Sequence, residues 1–407
     1  MNRLSRAFGL AVLLLAQVLV GCGKKATNSS TPSGDPNPAN SGGPGGGSGE
    51  ARGQLPPRDP AKDAAAAKQR EAQTKQYAQA EATLADAIRK RKPGGATKDG
   101  VVGVLSLSGK DGLYAQSAVL SPDGSKVAVA LMDLKQSGSK ERVYYIKDLL
   151  SDLEVCRFKA GFSMSMAFSP DGSLFALAVE KQAVTLWDTA TGQQKQSIPI
   201  AQIPWGTVFT PDGSGVIVCL QGTPTLFDVI TGKQVRTYGK SDFWTPTLSP
   251  DGSLLATSIS RSKDYGVALW NAATGDLITE LKPKGAFTNP TKLQFSPDGA
   301  TLRYQPTTSD AKFSSWDLKS DAPKDYVKAE KASTFSLSPD GRLAFAQSSS
   351  PDMIQVIDVA TGAQKTTKSF AAGIGSLSFF PGGTLLGTFE NANFTVWDLS
   401  VLHPNAK

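Results

Sequence analysis

The 407-residue sequence predicts an all-β fold, a seven-bladed β-propeller, preceded by a signal peptide, a linker and one solvated α-helix. Three observations predict the ring. First, a Pro-Asp-Gly turn recurs with its Asp at 123, 171, 212, 251, 298 and 340, and a seventh copy, Pro381-Gly382-Gly383, carries Gly in the Asp place. The spacings of 48, 41, 39, 47, 42 and 42 residues bracket the roughly 40–45 residues of a four-stranded blade. Second, each interval holds short β-rich runs, such as "SMAFS", "LFALAV", "AVTLWD" and "QKQSIPI", of strand length and composition. Third, the seventh unit ends at Asp398 without a fourth strand, while "VVGVLSLS" at Val101–Ser108 is a strand with no unit before it. Pairing of Val101–Ser108 with Phe394–Leu399 would fasten the two ends of the chain and close the ring.

Residues 1–21 read as an address. Arg3 and Arg6 precede a 13-residue apolar run, Gly9–Gly21, too short for a permanent membrane span of ~20 residues but suited to a secretory signal. Leu19-Val20-Gly21-Cys22 resembles the lipobox of bacterial lipoproteins, which implies lipidation of Cys22 and a protein held in the cell envelope, facing away from the cytoplasm. Residues 22–60 are rich in Gly, Pro, Ser and Asn with little to bury, the composition of a flexible tether. Residues 61–92 change to Ala, Lys, Gln and Glu, strong helix formers, and Pro93-Gly94-Gly95 ends the run. Its apolar stripe of Tyr77, Leu84 and Ile88 is too thin for a coiled-coil seam, so a polar, solvated spacer helix is expected, with docking on a partner or on the propeller as the alternative. The propeller occupies residues 101–407.

Pro presets φ at the first turn position, Asp suits the second, and Gly takes the left-handed conformation that closes a three-residue hairpin. Asp188 with Thr191-Gly192 makes a second stereotyped turn, in which the carboxylate caps free backbone N–H groups.

These turns end on a further signature. Leu186-Trp187-Asp188, Leu269-Trp270-Asn271, Ser315-Trp316-Asp317 and Val396-Trp397-Asp398 resemble the closing tripeptide of WD repeats, and Leu226-Phe227-Asp228 and Val356-Ile357-Asp358 are degenerate forms. The resemblance covers about Val101 to the C-terminus and implies a WD-repeat-like propeller. One departure stands out: the chain has no Gly-His dipeptide, and its sole histidine, His403, is four residues from the end. The histidine-centred hydrogen-bond tetrad of that family therefore cannot form.

Composition narrows the function. Residues 23–100 hold 13 Lys and Arg against 8 Asp and Glu, whereas residues 101–407 hold 28 of each. The basic balance belongs to the N-terminal segment, residues 1–100, and the ring exerts no net pull on phosphates, so nucleic acid is not expected as a partner. A lone histidine disfavours nucleophilic triads and histidine-held metals. No cysteine pair has zinc spacing, and no Gly-rich phosphate loop joins a strand to a helix. "DVITGKQVRTY" faintly resembles the repeats of quinone-dependent dehydrogenase propellers, but the tryptophan that follows Thr-Gly there is missing. No catalytic residue, metal or cofactor is expected. Cys156 and Cys219 fall in strand-like runs two repeats apart, as buried free thiols would.

The expected function is therefore non-catalytic binding of a protein or other envelope macromolecule by a lipid-anchored monomer. A ligand-sensing propeller, or a propeller enzyme with a divergent site, is the alternative. Binding is expected on one face. The first and third turns of every blade are stereotyped, and variation gathers on the opposite face. There unit one has the insertion Asp133–Arg142, and the links carry Tyr114, Phe162, Trp205, Phe243, Trp244 and Phe287. Trp205 and Trp244 each stand five residues before the turn's hydroxyl residue, Thr210 or Ser249. Equal phase places them on adjacent blades at the channel mouth, either as an aromatic rim or as a plug on the core.

Overall fold

The computed structural model describes residues 55, 60–91, 100–107, 113–132, 141–240, 243–261, 264–282, 290–306, 312–318, 322–328, 332–348, 353–359, 361, 363–369, 376–390 and 392–402. Among the described residues twenty-eight strands form seven antiparallel four-stranded sheets. Six of the sheets use strands consecutive in sequence, from the blade of β2 (Tyr114–Leu120), β3 (Lys126–Met132), β4 (Glu141–Asp148) and β5 (Glu154–Gly161) onward. The seventh is mixed in origin: β26 (Ser376–Phe379), β27 (Leu385–Glu390) and β28 (Asn393–Asp398) are completed by β1 (Val101–Ser106).

That closure is the expected one. β1 runs antiparallel to β28, with Val101 opposite Trp397 and Ser106 opposite Asn393, and Leu107 N–H donates to the Ala392 carbonyl. Edge strands are templates for wrong pairing, and here the end of the ring is capped by its own beginning.

The turns form as their residues dictate. The glycine after each Asp has φ between +65° and +73°, including Gly172, Gly213 and, in the seventh copy, Gly383. In the second blade Ser169 Oγ donates to Asp171 at 2.5 Å, while Asp171 accepts from Ser173 N–H at 3.0 Å and Ser173 Oγ at 2.7 Å. Leu174 N–H in turn donates to Ser169 Oγ at 2.9 Å. The same four-residue network recurs around Asp123, Asp212 and Asp251. The later turn is equally regular. Asp188 Oδ1 accepts from Ala190 N–H, Thr191 N–H and Thr191 Oγ1 at 2.8–3.0 Å, and Asp228 does the same with Ile230 and Thr231.

Without a histidine tetrad, three of the four signature tryptophans find other acceptors. Trp187, Trp270 and Trp397 donate Nε1–H to the hydroxyls of Thr185, Thr257 and Thr388, each at 2.9 Å. A threonine within the same sheet thus satisfies the buried indole. The core lies between blades. Phe158 of the first blade stacks on Trp187 of the second at 4.1 Å between centroids, and Tyr238 Oη of the third donates to the Ala272 carbonyl of the fourth.

One expectation is corrected. The helix α1 (Pro60–Arg91) forms, but it is not a solvated spacer along its whole length. It is mostly exposed through Gln76; beyond that, Glu81, Leu84, Ala85 and Ile88 are buried against the first and seventh blades. The stripe is narrow because its receptors are glycines. Ile88 sits where a side chain on Gly103 would be, and the Ala78 backbone sits where one on Gly382 would be. Two notches of this kind let a thin ridge pack closely, which a count of apolar residues does not register. Among the described residues no helix is long and apolar enough to cross a membrane. The signal region, Cys22, the linker and His403 lie outside the described residues.

Candidate binding face

The first strand of each blade runs along the channel, and each begins on the face that carries the links between blades. On six of the blades a bulge interrupts the pairing of this strand near that end. A bulge inserts one unpaired residue and re-aims its side chain. In β10 (Pro204–Phe209) it lies between Pro204 and Thr207, and in β14 (Phe243–Leu248) between Trp244 and Thr247. Thr245, directly after Trp244, has φ +23°, in a region a β-branched residue rarely occupies.

These bulges bring Trp205 and Trp244 together. The ring centroids are 5.3 Å apart at 84°, an edge-to-face pair bridging the third and fourth blades. Trp205 is 36% exposed and Trp244 is half-buried beneath it. Trp244 Nε1, the hydroxyl of its cross-strand neighbour Ser258, and Thr207 Oγ1 are buried with no hydrogen-bond partner among the described residues. Apolar ring surface and unspent polar groups thus coincide on these two blades.

The other aromatic candidates separate. Tyr114 and Phe162 are both exposed, and the Arg142 guanidinium lies 5.4 Å over the Phe162 ring. Phe243 is a core residue, 4% exposed, packed edge-on against Trp270 at 4.9 Å and covered by the Arg261 guanidinium. Arg261 is itself fixed by a two-pronged ion pair with Glu280 at 2.8 and 3.1 Å. Phe243 therefore supports the neighbouring Trp244 position rather than offering contact surface. Phe287 and most of the Asp133–Arg142 insertion lie outside the described residues.

The opposite face is occupied. α1 runs past the Pro-Asp-Gly turns, and its residues Arg70, Gln73 and Tyr77 line a groove with Pro297, Pro339 and Pro381 of three successive blades. Glu81 reaches the seventh turn and accepts hydrogen bonds from Gly382 N–H, Thr384 N–H, Thr384 Oγ1 and Leu385 N–H. Burial raises its pKa even against these four donors. Glu81 escapes sequence reasoning because it breaks the apolar stripe. The signal that could have found it is the Gly in the seventh turn's Asp place.

Cys156 and Cys219 are free and buried, and desolvation pushes both thiols above their usual range. Among the described residues no group of three His, Cys, Asp or Glu is placed to hold a metal ion.

The chain is similar in structure to the β-propeller domain of Cps50 (Swd1) from Myceliophteria thermophila, with a TM-score of 0.60 at 13% identity, covering 73% of this chain and 98% of that one. It is similar also to the hydrazine synthase of Kuenenia stuttgartiensis, with a TM-score of 0.59 at 16% identity, covering 71% and 96%. The likeness is one of fold. No protein-family model matches the chain, and no curated protein matches it by sequence.

Proposed function

We propose that this chain is a non-catalytic propeller that captures a protein partner on the link face of its ring while tethered to an envelope membrane through a lipid on Cys22. The observation that carries the reading is the Trp205–Trp244 pair, partly exposed, with unpartnered polar groups around it, on the face opposite α1. Aromatic anchors of this kind concentrate binding energy at protein interfaces. The balanced charge of residues 101–407 supports a protein rather than a polyanion as partner. The propeller fold is consistent with such a scaffold.

Capture of crosslinked partners from the native envelope by the full chain, compared with its Trp205→Ser variant, tests this. Loss of specific partners from the variant, with its melting temperature nearly unchanged, is expected. An identical crosslinking profile for the two chains would overturn the assignment of this face.

A further inference from the structure

We propose that the turn of the seventh blade is a carboxylate-binding slot, that Glu81 is its resident ligand, and that α1 is thereby a clasp over the seam where the ring closes. Six turns carry their own carboxylate, and the seventh does not. Where the second blade has Ser169, Asp171 and Ser173, the seventh has Phe380, Gly382 and Thr384. In the sister turns the N–H two residues after Asp donates to that Asp, and the next N–H donates to the Ser or Thr hydroxyl. In the seventh, both acceptors are absent from the turn itself, and both N–H groups, of Thr384 and Leu385, donate to Glu81 at 2.9 and 3.2 Å. Thr384 Oγ1 donates to Glu81 as Ser173 Oγ donates to Asp171. One carboxylate from another element thus performs the work of two side chains missing from the loop. Unsatisfied buried N–H groups are costly, so this is a specific recognition and not a chance contact.

The surrounding shape agrees. Gly382 is where the sisters have Asp, and a side chain there would overlap the Ala78 backbone. The slot is open only because its own residue is absent. Ala78, Glu81, Ala85 and Ile88 follow the three- and four-residue spacing of one helix face, so the residue that enters the slot and those that enter the apolar seam share a ridge. Beyond Glu81, the ridge crosses from blade seven to blade one. Arg89 pairs with Asp398 at the end of β28 at 2.9 Å, and Arg91 donates to the Leu149 carbonyl of the first blade at 3.1 Å. Ile88 and Leu84 lie in one cluster with Val102 and Leu105 of the closing strand and Phe394 of its partner.

Hydrogen exchange of the helix and thermal unfolding of the full chain, in Glu81→Gln, Glu81→Ala, Gly382→Asp and the Glu81→Ala/Gly382→Asp double variant, test the proposal. Glu81→Ala should lower helix protection about tenfold or more and lower the melting temperature by on the order of 5 °C. Glu81→Gln keeps one acceptor and should fall between. Gly382→Asp should release the helix as well, because the turn then fills its own slot, while the ring stays folded. The double variant should recover much of the melting temperature lost by Glu81→Ala without restoring helix protection. Three results would each overturn the proposal: helix protection unchanged in Glu81→Ala, a helix still protected in Gly382→Asp, or a double variant no more stable than Glu81→Ala.

Discussion

A single turn aspartate such as Asp171 or Asp188 organises three backbone and hydroxyl donors, and the consequence is electrostatic as well as geometric. Backbone and hydroxyl donation from Thr191 holds Asp188 down at about 2, and Thr231 lowers Asp228 in the same way. Donation from Ser169 and Thr210 lowers Asp171 and Asp212. A carboxylate whose folded pKa is depressed contributes stability above its unfolded pKa, and that contribution is lost as pH falls through the folded value. Denaturant midpoints should therefore hold from neutral pH to about 4 and fall between about 4 and 2. Asn271, in the place of Asp188, keeps its turn through Oδ1, accepting from Ala273 and Thr274 N–H at 3.0 and 3.1 Å. Asp188→Asn should accordingly fold normally and contribute less to the acid limb, whereas Asp188→Ala should be less stable at all pH values. At the same scale, Trp205→Ser should cost about 1 kcal/mol of stability, the worth of an aromatic pair, yet weaken partner capture tenfold or more. Trp244→Ser should cost more stability, because it supports Trp205 from below.

At the scale of elements, the decisive contact joins the first strand to the last. β1 contributes Val102 and Leu105 to the core cluster that also holds Phe389, Phe394 and Val396. A chain beginning after Ser106 would leave the seventh blade three-stranded, with the backbone of β28 exposed as an open edge. Such a chain should melt well below the full one and self-associate, as read by thermal unfolding and sedimentation. A truncated ring as stable and monomeric as the parent would contradict the closure. The helix acts on this same seam. Truncating Ile88, 3% exposed, to Ala should cost about 2–5 kcal/mol.

At the scale of the whole molecule, the two faces of the ring carry different features. The helix lies on the turn face, and the aromatic pair lies on the link face. Replacing Cys22 by Ala should abolish lipid labelling and release the protein from membranes without altering its melting curve. Retained labelling would refute the lipid anchor.

The repeat was legible because its physics is local. Pro-Asp-Gly turns, Asp-x-x-Thr-Gly turns and alternating β-rich runs specify hairpins within a few residues, and seven copies with one strand spare at the start and one missing at the end imply a ring closed by its first strand. Adjacency of Trp205 and Trp244 was legible for the same reason, since equal phase in successive repeats means equal position on successive blades. Phe243, one residue away, went the other way: whether a link aromatic faces solvent or Trp270 depends on the bulge and on Arg261 above it, not on its place in the repeat. The helix was misread for a related cause. Its hold on the ring rests on a charged residue and on two glycines in other elements, Gly103 and, 301 residues from Glu81, Gly382. Turn chemistry is written in neighbouring residues, so the sequence by itself determined the blades and their number. Docking depends on the match between a missing carboxylate on one element and a surplus one on another, and only the tertiary structure decides which of them meet.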